Sequence, residues 1–302
     1  MTIAVTGGTG FVGRAVLDEA AKQGLATRAL TRREQPERQG VTWVRGDLAT
    51  PEALEELARG AEAMIHVAGV VNAPDKAGFE AGNVEGTKAV IAAARSVGVD
   101  RFIHVSSLAA TEPNLSDYGY SKRMAEEVVQ TSGLDWTIVR PPAVYGPRDT
   151  EILELFQAAR WRFVPMPPAG RASIIHVDDL ARLLLALRRP GSETRSRIFE
   201  PDDGRANGWS HKELARAIGA AVGKSVWAPH VPRKVLMLGA RLDRLFRGDG
   251  AKLTPDRASY MAHPDWTSAL ERRVPASIWS PKIDTERGLA DTAMWYRDHD
   301  WL

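Results

Sequence analysis

The chain has 302 residues, of which 44% are hydrophobic and 26% charged, with a formal net charge of +2 and no cysteine. That is globular composition, long enough for one or two domains with a substantial core. It excludes a disulfide scaffold, a thiolate metal site and a cysteine nucleophile. No apolar run approaches the ~20 residues that cross a bilayer. The first residues, Met1-Thr2-Ile3-Ala4-Val5-Thr6, enter a strand pattern with no basic leader. No block of like charge marks a nucleic-acid tail. The expectation is a cytoplasmic protein with a small-molecule substrate and with neither nucleic acid nor membrane as partner.

In chain order, strand patterns at Ile3–Thr6, Thr27–Leu30, Val41–Arg45, Ala63–Val67, Phe102–Ser106 and Trp136–Arg140 alternate with helical patterns near 11–23, 51–59, 83–97 and 118–131. Several strands are continuous apolar runs, as strands buried on both faces should be. Alternating βα units predict an α/β fold, a doubly wound, Rossmann-like parallel sheet with right-handed crossovers. After Arg140 the rhythm breaks at Pro141-Pro142, Gly146-Pro147 and the 165–170 stretch. Helical patterns follow near 150–160, 178–188, 210–222, 235–247 and 285–296. The predicted organisation is a dinucleotide-binding domain over 1–148, with 171–205 returning to it, and a smaller, mostly helical substrate lobe over 149–170 and 206–302.

Val5-Thr6-Gly7-Gly8-Thr9-Gly10-Phe11-Val12-Gly13 is a strand, a glycine-rich turn and a helix start. Glycines at this point let the backbone turn sharply, approach a pyrophosphate and pack the helix against the strand. The helix N-terminus, at Gly10, Phe11, Val12 and Gly13, offers free N–H groups to the phosphates. The competing reading is a tight βα turn without a ligand. The spacing G-x-x-G-x-x-G resembles that of the short-chain dehydrogenases/reductases. T-G-G-T-G-F-V-G resembles their extended branch, the NAD-dependent epimerase/dehydratase family.

An acid at the end of the second strand would bind the adenosine 2′-hydroxyl and repel a 2′-phosphate. Here Thr31 is followed by Arg32 and Arg33, and guanidinium pairs well with phosphate. NADP(H) is therefore expected, with NAD(H) as the second candidate. The competing reading is two solvated loop arginines. By resemblance, Asp47 and Leu48 meet the adenine, while Ala68 and Gly69 line the cofactor. Pro141 and Val144 lie in the family's segment over the nicotinamide.

Tyr118-Gly119-Tyr120-Ser121-Lys122 contains Y-x-x-x-K, which sets Tyr118 and Lys122 on one helix face and Tyr120 on another. A tyrosine hydroxyl has a reference pKa near ~10, and a nearby ammonium favours its ionised form. Such a tyrosine can pass a proton to a carbonyl or take one from an alcohol. The resemblance implies that Lys122 also holds the nicotinamide ribose, and that Ser107, after the Phe102–Ser106 strand, holds the substrate oxygen. It gives Ser106 a supporting role. Asn83 is either a helix cap or the family's structural or relay asparagine. The His176-Val177-Asp178-Asp179 segment and the chain from Asp284 to Leu302 also resemble the family. There, Asp178 or Asp179 is expected to cap the next helix. A homodimer through the helices of Asn83 and Tyr118 is what the resemblance implies. The seven histidines show no i, i+4 pair, and no metal site is expected.

Between 190 and 280 the resemblance is weakest. The helical pattern Pro232–Arg247 carries Val235, Leu236, Leu238, Leu242, Leu245 and Phe246 together with Arg241, Arg244 and Arg247. Packing with a solvated basic face, a pocket for an anionic substrate, and contact with a membrane surface or partner all remain open for it. Trp209, Trp227, Trp266 and Trp279 suggest an aromatic-rich lobe. The function expected is an NADP(H)-dependent oxidoreductase that reduces a ketone or aldehyde, or oxidises the alcohol, with Tyr118 as proton donor or acceptor. The alternatives are a nucleotide-sugar epimerase/dehydratase with retained cofactor and a non-catalytic dinucleotide-binding regulator or assembly subunit.

Overall fold

Continuous apolar runs become the buried middle of a parallel sheet because both their faces need cover. In the computed structural model, which describes residues 2–248, 251 and 253–302, the first half runs β1 (Thr2–Thr6), α1 (Phe11–Lys22), β2 (Ala26–Thr31), β3 (Val41–Arg45), α2 (Pro51–Ala58), β4 (Ala63–His66), α3 (Lys76–Phe79), α4 (Gly86–Ser96), β5 (Arg101–Val105), α5 (Asp117–Gln130) and β6 (Asp135–Val139). The second half runs β7 (Ala143–Tyr145), α6 (Leu153–Arg160), β8 (Arg171–Ala172), β9 (Ile174–His176), α7 (Val177–Ala186), β10 (Arg197–Phe199), β11 (Trp209–Ser210), α8 (His211–Ala221), α9 (Arg233–Arg247), α10 (Pro255–Met261), β12 (Asp265–Trp266) and α11 (Thr285–Asp298).

The chain divides into two units. One comprises Met1–Pro141, Asp178–Glu200 and Arg272–Ser280, the other Pro142–Val177, Pro201–Glu271 and Pro281–Leu302. The first contains a seven-stranded sheet in the order β10-β6-β5-β4-β1-β2-β3, every neighbouring pair parallel. This is the doubly wound, Rossmann-like fold expected. The strand order reverses direction between β1 and β4, the switch point at which such sheets leave a crevice beyond their carboxyl ends.

Register sets a polar row there. Ala4 pairs with Met64, and Met64 with Phe102; all three belong to one apolar core with α2 and α4 residues such as Leu54, Leu57 and Val90. Two residues further along each strand, on the same face, Thr6 pairs with His66 and His66 with His104. Apolar core thus gives way to buried polar groups within one step, at the end of the sheet where a ligand would bind.

The second unit holds two small sheets, β11-β8-β12 and β7-β9. A separate core joins Phe156, Leu214, Ile218, Leu289 and Tyr296, from α6, α8 and α11. Asp284 caps α11, its carboxylate accepting from the Arg287 N–H at 3.0 Å. Three local expectations change. α7 begins at Val177, so Asp178 and Asp179 lie in its first turn and do not cap it from outside. Asn83 is no cap either, because α3 runs into a π-helical stretch (Glu80–Glu85) and on into α4 without a break. Trp279 belongs to the first unit, donating to the Asp179 carbonyl at 3.0 Å, while Trp227 is exposed.

A buried ion cluster fixes α5 against the sheet. Arg140, just past β6, donates from Nε to Glu126 Oε1 at 2.8 Å and from Nη2 to Oε2 at 2.6 Å. Its Nη1 reaches Glu200, after β10, at 3.1 Å. Ser106, after β5, adds its hydroxyl to Glu126 at 2.6 Å. Arg140 and both carboxylates are almost wholly buried. Removing one member of such a cluster leaves an uncompensated buried charge and costs about 3–5 kcal/mol. Arg140→Leu is expected to lose that much in urea unfolding of the full chain; a loss below about 1 kcal/mol would show that the carboxylates do not depend on it.

Candidate active site

Short hydrogen-bonding side chains start α5. Ser116 is its N-cap, accepting the Gly119 N–H at 3.0 Å. Tyr118 follows in the first turn and Lys122 one turn later, on the same face. Lys122 is buried, and its Nζ donates to the Val105 carbonyl at the end of β5, at 2.8 Å. Burial lowers its pKa to about 8, while Glu126, one turn further along, holds it up. Tyr118 is half-buried and packs against Phe79, the ring centroids 6.0 Å apart. Tyr120 points elsewhere, under the Lys76 ammonium at 3.8 Å.

Ser107 lies two residues beyond Val105. Its Oγ accepts the Ala109 N–H at 3.2 Å, capping a 3₁₀ turn (Leu108–Thr111). Its O–H has no acceptor among the described residues, so a donor remains at the end of β5.

Neutral histidines back the lysine. Thr87 Oγ1 donates to the Asn83 carbonyl at 2.6 Å, so it accepts from His66 Nε2 at 3.0 Å. Thr6 Oγ1 accepts the Ala68 N–H at 3.2 Å and donates to His66 Nδ1 at 2.7 Å. This network assigns His66 as the neutral Nε2–H tautomer. Burial, then the nearby Lys122 charge, pushes its pKa down to about 3. His104, 5.4 Å from His66 between ring centroids, is also driven well below the usual histidine range, by burial first, then Lys122 and His66. Asn83 clamps the neighbouring loop. Its Oδ1 accepts from Val70 N at 2.7 Å, and its Nδ2 donates to Val70 O and Ser121 Oγ, each at 2.9 Å. The asparagine thus has a structural role joining the loop after β4 to α5.

The glycine turn sits at the switch point. Gly7 has φ +72°, and a Cβ there would lie 2.7 Å from the Ala68 nitrogen. A Cβ on Gly13 would lie 2.0 Å from the Gly7 carbonyl oxygen. Both positions therefore demand glycine. Gly10 is the N-cap of α1, with no side-chain cap and no acid in the first turn, so the N–H groups around Phe11, Val12 and Gly13 keep their positive end open. This cradle fits a dinucleotide pyrophosphate.

The first unit carries Gly7, Gly10, Phe11, Val12, Gly13, Arg32, Arg33, Asp47, Leu48, Ala68, Gly69, Ser107, Tyr118, Lys122 and Pro141; Val144 stands in β7 of the second. Gly69 is close to the lysine, since a Cβ there would lie 3.6 Å from Lys122 Nζ. Arg32 and Arg33 are exposed, with no side-chain partner among the described residues. Asp47 uses Oδ1 to accept from Ala49 N and Thr50 Oγ1, each at 2.9 Å, in the turn before α2. Leu48 packs on Gly86, at the start of α4. Sequence pattern does not single out His66, His104, Glu126 or Arg140. One signal was available: Glu126 lies one turn after Lys122 on the same face. The histidines each end an otherwise apolar strand, which alone does not separate core from site.

The NAD(P)H-binding family matches residues 7–187. The chain belongs to that family. Its fold is the Rossmann-like fold of short-chain dehydrogenases/reductases. A ceramide reductase of Caulobacter vibrioides is 38% identical, over 99% of this chain and 96% of that protein. A 4-hydroxy-2-methyl-3-oxo-4-farnesyl-3,4-dihydroquinoline-1-oxide ketoreductase of Stigmatella aurantiaca is 29% identical, over 90% of this chain and 96% of that one. The structure of MoeE5 in complex with UDP-glucose and NAD shares the fold, with TM-score 0.77, 20% identity and 99% of each chain covered.

The buried ammonium has a thermodynamic signature. The unfolded chain keeps the Lys122 proton up to the ordinary value of 10.5, whereas the folded chain releases it near about 8. Between these values the unfolded state binds more protons, so stability rises with pH. Relative to Lys122→Met, the wild type is expected to gain stability as pH rises from about 8 towards about 10, read from urea midpoints. A difference that stays flat with pH would show that the ammonium is not desolvated.

Proposed function

We propose that the protein is an NADPH-dependent reductase of a ketone or aldehyde, working through Tyr118, Lys122 and Ser107. The observation that carries the reading is the Tyr118–Lys122 face of α5, held at the end of β5 beside the switch point. Reductase relatives that align over nearly the whole chain support it. The glycine cradle and the open α1 N-terminus would hold the pyrophosphate, Lys122 the nicotinamide ribose, and Arg32 and Arg33 a 2′-phosphate. Asp47 and Leu48 would border the adenine, and Ala68, Gly69 and Pro141 the rest of the cofactor.

When bound, reduced nicotinamide supplies the hydride. Ser107 donates its free O–H to the substrate oxygen, a bond that strengthens as negative charge develops there. Tyr118 gives that oxygen its phenolic proton. The Lys122 ammonium favours the phenolate left behind, and the neutral His66 and His104 add no competing charge. The substrate carbon gains a hydride, the oxygen a proton, and the product is the alcohol. The names of the relatives, a ceramide reductase and a ketoreductase of a farnesyl-bearing 3-oxo compound, point to a substrate with a long apolar chain.

Stoichiometric loss of NADPH absorbance with a long-chain 3-oxo ester tests the reaction. A retained-cofactor epimerase would show no net loss, and a non-catalytic subunit no turnover. Tyr118→Phe is expected to lower kcat by about 10²–10⁴-fold with NADPH affinity kept; a variant retaining a tenth of the activity or more would remove the tyrosine from its role. Arg32→Ala/Arg33→Ala is expected to raise the KM for NADPH by about tenfold or more, the loss of one or two charged hydrogen bonds, with a much smaller change for NADH. Equal weakening of both cofactors would overturn the assignment of the arginines.

A further inference from the structure

The helix that the reductase reading leaves unused is α9. Val235, Leu238, Leu242, Leu245 and Phe246 recur at helical spacing along one stripe, and all five are exposed, Leu245 by 77% and Phe246 by 81%. The opposite side faces the second unit through buried Ala240. Five cations, Arg233, Lys234, Arg241, Arg244 and Arg247, accompany a single acid, Asp243. That acid is turned to local use: it accepts the Leu253 N–H at 2.9 Å and pairs with Arg247 at 3.3 Å. Arg233, Lys234, Arg241 and Arg244 have no ion-pair partner among the described residues. Lys234 and Arg241 edge the apolar stripe.

The arm leading into α9 adds aromatic surface. Residues 227–231 pair with 162–166: Trp227 N–H to Arg162 O at 2.9 Å, Val164 N–H to Trp227 O at 3.0 Å, and Val231 N–H to Met166 O at 2.8 Å. The exposed Trp227 and Phe163 rings meet on this arm, 5.4 Å apart. Tryptophan suits the level of lipid headgroups.

We propose that α9 is an interfacial docking helix that lies in the surface of an anionic lipid bilayer. An apolar stripe edged by unpaired cations matches acyl chains beneath anionic headgroups. Self-pairing fits less well, because a two-fold contact through this face would set its cationic margin against an identical one. Among the described residues no helix is long and apolar enough to cross a membrane; the proposed contact lies in the plane of the bilayer surface. It departs from the expectation of no membrane partner because the stripe that could have packed inward lies outside. The stripe and its charges carry the proposal without the reductase reading.

The test is co-sedimentation of the full chain, without cofactor or substrate, with vesicles of phosphatidylcholine alone or with about one-third phosphatidylglycerol. The expected result is partitioning at least about tenfold stronger onto the anionic vesicles, weakened by raising salt from about 0.1 M to about 0.5 M. Leu245→Glu/Phe246→Glu is expected to lose binding by about tenfold or more while keeping its urea midpoint and NADPH affinity, both side chains being exposed. Lys234→Glu/Arg241→Glu is the second variant, expected to lose the preference for anionic vesicles. The proposal is overturned if the wild type stays in the supernatant, or if both variants pellet like the wild type. It is equally overturned if sedimentation velocity shows a dimer that Leu245→Glu/Phe246→Glu splits while vesicles bind neither form, or if only an acidic protein, and no vesicle, competes for the face. Loss of turnover with vesicle binding intact would sink the reductase reading alone.

Discussion

A carboxylate without water needs a partner whose geometry matches it, and Glu126 has one in Arg140. The pair is bidentate, Ser106 adds a third contact, and Glu200 takes the remaining arm of the guanidinium. Desolvation takes back much of the Coulombic gain in such a cluster, so its main consequence is placement. It ties α5 to the chain just past β5, β6 and β10. With Glu126 held, Lys122 one turn back lies under the Val105 carbonyl, and Tyr118 one turn further back lies beside Phe79. The ion cluster and the Tyr118–Lys122 face are thus successive turns of one helix.

Neutral polar groups complete the arrangement. A charged histidine next to Lys122 would repel its ammonium. His66 avoids this by accepting from one threonine and donating to another, leaving no unmet need for a proton. The same chain of bonds reaches Ala68 and Asn83, so the loop against the glycine turn and the loop against α5 are set by one network. Burial deprotonates the histidines and also lowers the lysine, but Glu126 holds the lysine near the range in which it is still largely cationic at neutral pH.

The two units use apolar surface differently. In the first, strands and helices close over Leu54, Phe102 and Ile138. In the second, α6, α8 and α11 close over a core of their own, while α9 turns most of its large side chains outward and keeps only Ala240 fully buried. An amphipathic pattern alone does not tell which way the stripe faces. The direction comes from what is packed on the other side.

The sequence by itself determined the βα alternation, the glycine turn and the phase of Tyr118 against Lys122. These rest on local rules: two-residue and 3.6-residue periodicity, and the steric need for glycine at Gly7 and Gly13. It also placed Tyr120 on a different face, because helical phase depends on neighbours in the chain. Only the tertiary structure decided the partners of Glu126 and Arg140, the tautomer of His66, the clamp made by Asn83, and the outward stripe of α9. Each of these depends on groups brought together from distant segments, where burial and the exclusion of water set the strength of an interaction that residue spacing does not encode.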